Sequence, residues 1–244
     1  MLHPNSLFGS YKQEIERLKD ISKTGILSAA FALQKEKALE IFYAPHNEYI
    51  NEKASILIVG ITPGWSQTER AYHTARAGIE AGMADEEICR LCKLESRFAG
   101  AMRKNLIAML DALGLQEKLQ LSSCGELFSD NNELLHTTSM IKYPCFYRGA
   151  NYSGHAPSIA SSKLLSGYVH DAFMTELQCL ANLKLIIPLG SAVETALRDL
   201  NLAESMPDIP ILWGFPHPSG LNARRSEQFA ANLEKMRTIL TNCK

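Results

Sequence analysis

The sequence predicts an α/β protein: three layers, α/β/α, around a central, mostly parallel four-stranded sheet. Two observations carry this expectation. Short apolar, β-branched runs recur along the chain, each followed by a glycine- or proline-containing turn, and stretches of helical periodicity separate them. With 244 residues, 46% hydrophobic and 21% charged, the chain can also bury one sizeable core. One domain spanning residues 1–244 is therefore expected.

The first fifty residues read as a helical extension packed on that domain. Ile15 and Leu18 fall between charges, and Ile26 to Phe42 is rich in Ala, Leu and Lys. Ser55 to Ile61 is the first core strand, ended by Thr62-Pro63-Gly64. From Gln67 to Leu115 the pattern is helical, with Phe98, Met102, Leu106, Met109, Leu110 and Leu113 spaced by three and four. Glu133 to Ile141 and Lys184 to Leu189 are the second and third strands, the latter followed by a helix from Ser191 to Leu200. Ile211-Leu212-Trp213 is a short fourth strand, entered from Pro210. A last helix runs from Ser226 to about Thr241, with Ser226 as N-cap. In such a sheet, ligands bind beyond the strand carboxyl ends, which directs attention to the loops after the first, second and fourth strands.

The formal net charge of −1 excludes a globally basic nucleic-acid binder, so any DNA surface must be a local patch. The N-terminal stretch lacks the apolar run of a signal peptide, and nothing approaches the roughly 18 apolar residues of a membrane span, so the chain reads as cytoplasmic. Its six cysteines are scattered and read as free thiols. Cys89-x-x-Cys92 falls within helical periodicity, where two partly buried thiols are the favoured reading.

Two loops carry the chemistry. The first strand ends in Gly60-Ile61-Thr62-Pro63-Gly64-Trp65, and the fourth leads to His217-Pro218-Ser219-Gly220-Leu221-Asn222. This ordered pair resembles the two signature loops of the uracil-DNA glycosylase superfamily, similar to G-x-x-P-G after a buried strand and H-P-S-x-L or N-P-S-G-L before the last helix. Leu185 to Leu197 resembles the family's strand-Leu-Gly-x-x-Ala segment. Thr138 to Lys142 resembles the second-strand segment of its iron-sulfur members, although Cys89 and Cys92 follow the first motif instead of preceding it.

The resemblance implies a monofunctional DNA glycosylase without metal or cofactor. It would act as a monomer on duplex or single-stranded DNA, excising uracil or another altered base by hydrolysis of the N-glycosidic bond. Such an enzyme takes its target base out of the stack and needs a pocket, groups that read the base edge, and a wedge for the vacated site. By resemblance His217 donates to the departing base, Leu221 is the wedge, and Ser219 contacts phosphate. The resemblance further assigns DNA contacts to Gly220, Asn222, Arg224 and Arg225. The base pocket would be formed by Gly60, Ile61, Pro63, Gly64, Trp65, Tyr72 and Ser139, with Tyr72 stacking on the base.

Two positions depart from the family. Thr62 stands where Asp, Asn or Glu usually positions water, and supplies no charge to an oxocarbenium-like sugar. Ser139 stands where an Asn amide usually reads uracil, and offers only a hydroxyl, so Asn105, Asn151 or Asn222 could substitute. These departures leave a second reading, a catalytically weak or inactive nucleic-acid-binding member of the superfamily. Arg224 and Arg225, with Lys142 and Arg148, form either a phosphate patch or ordinary solvated surface. Lys142 to Tyr152 interleaves aromatics with cations, as a base-stacking strand or a packed loop would. An unrelated nucleotide-binding protein is disfavoured, since no strand leads into a G-x-G-x-x-G or a P-loop.

Overall fold

The computed structural model describes residues 1–243, which divide into two compact units. One comprises Asn51–Gly60, Phe98–Thr138 and the chain from Leu180 onward; the other comprises Met1–Ile50, Ile61–Arg97 and Ser139–Cys179.

The unit containing Asn51–Gly60 is built on the parallel sheet. In chain order, with the strands of both units numbered together, the strands are β1 (Ala32–Glu36), β2 (Leu39–Phe42), β3 (Ile56–Gly60), β4 (Leu135–Ser139), β5 (Cys145–Tyr147), β6 (Ala150–Asn151) and β7 (Leu185–Pro188). β4, β3 and β7 lie side by side in that order. β3 and β7 pair in parallel, with Ile56 opposite Leu185 and Val59 opposite Pro188. The apolar run at Ile56–Val59 is buried along its whole length, as a strand covered on both faces must be. Ile56, Ile58, Leu185 and Ile187 pack against Leu106, Leu110 and Leu113 of the helix Gly100–Leu113 and against Met236 and Leu240 of the helix Arg225–Asn242.

Three of the four expected strands form. The fourth is reduced to a single parallel bridge between Ile211 and Ile186, held by Ile186 N–H on the Pro210 carbonyl (3.0 Å) and Leu212 N–H on the Ile186 carbonyl (2.9 Å). Pro210 has no N–H to donate, which shortens the pairing on the strand's entry side. The last helix begins at Arg225, so Ser226 lies inside its first turn and is not the N-cap.

The other unit departs from expectation at its beginning. Residues 1–50 are not a helical extension. A helix spans Phe8–Arg17, but Ala32–Glu36 and Leu39–Phe42 form an antiparallel hairpin. β2 pairs in turn with β5, and β5 with β6, giving a four-stranded antiparallel sheet in the order β1-β2-β5-β6. Composition misleads here because Ala, Leu, Lys and Glu favour helix only weakly, and cross-strand pairing with β5, more than a hundred residues away in sequence, outweighs that preference. The helices Trp65–Glu80 and Asp85–Ser96 and the helical run from Lys163 to Gln178 also belong to this unit, and its core holds Phe8, Ile15, Phe31, Tyr43 and Tyr72.

All six cysteines are free, and Cys89 and Cys92 are buried. No helix among the described residues is long and apolar enough to cross a membrane.

The buried His46 makes the fold acid-sensitive. Its Nδ1 shares a hydrogen bond with the Ser96 hydroxyl, and burial, reinforced by nearby Lys93, pushes the imidazole down to about 3. Because the folded value lies below the unfolded one, the unfolded chain takes up the proton first. Stability is then full above about pH 6.5 and falls as the pH drops toward 3, by on the order of 4–5 kcal/mol. Denaturant unfolding across this range should show the loss in the wild type and a flatter profile in His46→Gln.

Candidate functional site

In the parallel sheet, β3 and the Ile211 bridge both run parallel to β7. Gly60 and Trp213 therefore leave the sheet at the same, carboxyl, edge, where each motif loop begins.

The His217 loop is held by its own side chains and by two neighbours. Ser219 N–H donates to His217 Nδ1 (3.3 Å), and Asn222 Nδ2 donates to the His217 carbonyl (3.2 Å). Asn105, from the helix Gly100–Leu113, donates to the Pro218 carbonyl (2.9 Å), and Arg225 to the Ser219 carbonyl (2.9 Å). Gly190, in the turn after β7, presses against the loop with φ +88°, and a Cβ there would lie 3.1 Å from His217 Cβ. Only glycine meets both demands. These contacts have an electrostatic consequence. Because Nδ1 accepts from Ser219, a neutral imidazole carries its hydrogen on Nε2, and burial keeps its pKa below the ordinary histidine range. His217 is thus a neutral Nε2–H donor at neutral pH.

The same loop ends in solvent. Leu221 is 97% exposed, and no other large apolar side chain among the described residues is so placed. Ser219 Oγ accepts from Leu221 N–H (3.2 Å), which leaves its hydroxyl hydrogen for an outside partner. Gly220 is exposed. Arg224 is exposed and paired with Glu227, a contact of little energetic weight.

The Thr62 loop is pinned through a hydroxyl. Thr62 Oγ1 donates to the Tyr143 carbonyl (2.8 Å) and accepts from Cys145 N–H (2.9 Å), while Ile141 N–H bonds the Ile61 carbonyl (2.9 Å). Behind this segment lies a buried carboxylate. Glu48, 0% exposed, accepts from the Tyr143 phenol (2.8 Å), the Lys142 ammonium (3.1 Å) and Leu7 N–H (3.2 Å). Asn47 Nδ2 donates to the Lys142 carbonyl (3.0 Å). Burial pushes the Tyr143 phenol up and the Lys142 ammonium down, Glu48 opposing the latter shift.

Pro63 is buried, and Gly64 begins the helix Trp65–Glu80, its N–H bonded to Gln67 Oε1 (3.1 Å). Gly64 has an ordinary backbone conformation, and an added Cβ would meet nothing nearer than Gln67 Oε1 at 3.9 Å, so the fold itself does not demand glycine here. Trp65 is half-buried, and Ser139 is buried at the end of β4.

Two expectations need correction. Tyr72 does not stack on a base: it is 0% exposed, its hydroxyl bonds the Tyr43 carbonyl (2.8 Å), and its ring meets Phe31 edge to face at 5.2 Å. Lys142 also cannot take part in a surface phosphate patch, one of the two readings left open for it with Arg224, Arg225 and Arg148. Lys142 is buried against Glu48, and Arg225 is engaged with the Ser219 carbonyl. Of the candidate amides, Asn105 and Asn222 are occupied with loop carbonyls, and Asn151 is exposed on β6. Sequence reasoning missed Glu48, Tyr143 and Gly190 as supports. A Leu-Gly after a strand is the only sequence signal for any of them.

Thr62→Val leaves the Cys145 N–H and the Tyr143 carbonyl without their partner and should cost about 1–3 kcal/mol in denaturant unfolding, whereas Thr62→Ser should stay near wild type. Gly190→Ala should displace the His217 loop, read as a shift of the His217 ring signals by NMR while the melting temperature falls only modestly.

No family model matches the chain. The structure is similar to the crystal structure of wild-type Pedobacter heparinus SMUG2, at 14% identity and a TM-score of 0.47, covering 94% of this chain and 95% of that one. In sequence it is 43% identical over 216 residues to the uncharacterized protein YoxB of Bacillus subtilis (strain 168), across 88% of this chain and 84% of that protein. At that identity over most of both lengths, this chain belongs to the same family as YoxB.

Proposed function

We propose that this protein is a DNA glycosylase that takes uracil or another altered base out of the duplex and cleaves its N-glycosidic bond, the two units working as one domain and the protein as a monomer. The observation that carries the reading is His217: a neutral Nε2–H donor in an H-P-S-G-L loop whose leucine stands in solvent. When the bond breaks, its electron pair leaves with the base, and negative charge grows on the base oxygen. A preorganised donor aimed at that oxygen stabilises the transition state most where water is excluded. A neutral imidazole does this without an added positive charge that would repel the developing cation on the sugar.

Thr62 has the lesser role. Its hydrogen is committed to the Tyr143 carbonyl, so toward water it can only accept, orienting a nucleophile without taking its proton. The pocket would be completed by Gly60, Ile61, Pro63, Gly64, Trp65 and Ser139, with the open space at Gly64 admitting the base edge. Leu221 would enter the vacated stack, and Ser219, Gly220, Asn222, Arg224 and Arg225 would lie along the backbone.

The same commitment of Thr62 favours a second reading, a nucleic-acid-binding relative with weak or no hydrolysis. Single-turnover cleavage of duplexes carrying uracil or a deaminated purine separates the two. If the protein is a glycosylase, His217→Ala should slow cleavage about a hundredfold or more, and Thr62→Ala about tenfold. Tight binding without cleavage of any modified duplex would support the second reading, and absence of both would end the two together. A larger loss for Thr62→Ala than for His217→Ala would overturn the division of roles.

A further inference from the structure

The aromatic and cationic segment Lys142–Tyr152 is not absorbed by the proposed site, and the structure shows what most of it becomes. Cys145–Tyr147 and Ala150–Asn151 form a hairpin closed by Arg148-Gly149. Both turn residues have positive φ, 52° and 77°, so Arg148 stands where such a two-residue turn ordinarily carries Asn, Asp or Gly. The hairpin β1-β2 is closed by Lys37-Ala38, and Lys37 is again left-handed, with φ 55°. β2 and β5 are antiparallel neighbours, with Leu39 opposite Tyr147, so the two turns lie at the same end of the sheet. Arg148 N–H bonds the Ala38 carbonyl at 3.0 Å, joining them directly. Two long cations thus occupy adjoining positions that glycine would fill with less strain.

Neither cation is neutralised. Lys37 and Arg148 are exposed, and neither has an acidic partner among the described residues. The nearby acids are occupied, Glu36 by the Ser162 hydroxyl (2.9 Å) and Glu40 by Lys35 (2.8 Å). Arg148 lies over the Tyr147 ring at 5.2 Å, which holds the guanidinium plane while leaving its edge N–H groups to an outside acceptor. Cross-strand pairing places Lys35, Glu40, Phe146 and Asn151 on one face, where Lys23 sits 5.8 Å from the Phe146 ring centre. Four cations against two acids, Lys35 being paired with Glu40, leave this strip net positive on a chain whose net charge is −1.

We infer that this end of the antiparallel sheet binds the phosphodiester backbone of DNA, with Lys37 and Arg148 each meeting a phosphate and Lys23 and Lys35 extending the track along the face. The partner follows from the chemistry. A planar, ring-supported guanidinium suits bidentate phosphate recognition, and rigid turns hold the charges in place without the entropy loss of ordering a flexible loop on binding. A local strip is also how a nearly neutral protein attracts a polyanion. This rests on the reading of the protein as DNA-binding.

The test is the double variant Lys37→Gly/Arg148→Gly. Glycine suits both left-handed positions, so the fold should survive with a melting temperature near that of wild type. Binding of an undamaged duplex would be followed by fluorescence anisotropy over a salt series. Affinity at low salt should fall roughly tenfold or more, and the slope of log K against log salt should drop by about two, one for each lost phosphate contact. An unchanged slope in the variant, with wild type binding DNA normally, overturns this inference and leaves the glycosylase reading standing. Wild type that fails to bind DNA at all overturns both. A variant impaired toward phosphatidylserine vesicles or duplex RNA but not toward DNA would show that the strip serves another polyanion, and would equally overturn the assignment.

Discussion

The unit that carries Thr62 is organised around a carboxylate that water never reaches. Removing Glu48 from solvent costs several kcal/mol, offset only because three donors from two distant segments of the chain converge on it: Leu7 N–H from one, the Lys142 ammonium and the Tyr143 phenol from the other. Each donor thereby fixes the segment that carries it. Lys142 and Tyr143 are held as consecutive residues, and the carbonyl of Tyr143 is presented to the Thr62 hydroxyl. The first motif loop takes its conformation from a charge buried well behind it.

The second motif loop is held by a different principle. No ion pair among the described residues reaches His217; neutral amides and one guanidinium capture successive carbonyls, and a glycine allows the neighbouring turn to press close. Such bonds are individually modest, about 1 kcal/mol net, but they leave the imidazole with its Nε2–H uncommitted and its charge suppressed. One loop spends its hydroxyl on the fold, whereas the other leaves its donor unspent. Under the glycosylase reading proposed above, that asymmetry puts the leverage on the leaving base more than on the attacking water.

Charge is redistributed by folding in a way that residue counting cannot anticipate. Lys142 sits in a stretch whose sequence fits either a base-stacking strand or a packed loop, and it is interior and paired. Arg225 is drawn inward to a carbonyl, and Arg224 finds a glutamate one helical turn away. Lys37 and Arg148, which no acid engages among the described residues, sit in hairpin turns whose sequences, Lys-Ala and Arg-Gly, carry no binding motif.

By itself the sequence determined the parallel-sheet portion and the order of its loops. Buried strands at Ser55–Ile61 and Lys184–Leu189 announce themselves as unbroken apolar runs, because a strand covered on both faces tolerates nothing else. The exposed Leu221 and the placement of His217 after a strand were legible for a related reason: a histidine between prolines and a leucine beside glycine are poor packing choices. Tertiary structure alone decided the antiparallel sheet, the fate of Tyr72 and the role of Glu48. Residues 32–42 have no strong local preference, and they become strands only because β5 arrives from more than a hundred residues away to pair with them. An aromatic about two helical turns past a glycine loop can face a ligand or a core, and for Tyr72 the choice fell to Phe31 and the Tyr43 carbonyl. Local pattern records whether a residue wants to be buried; which partners bury it is set by contacts that have no counterpart in sequence spacing.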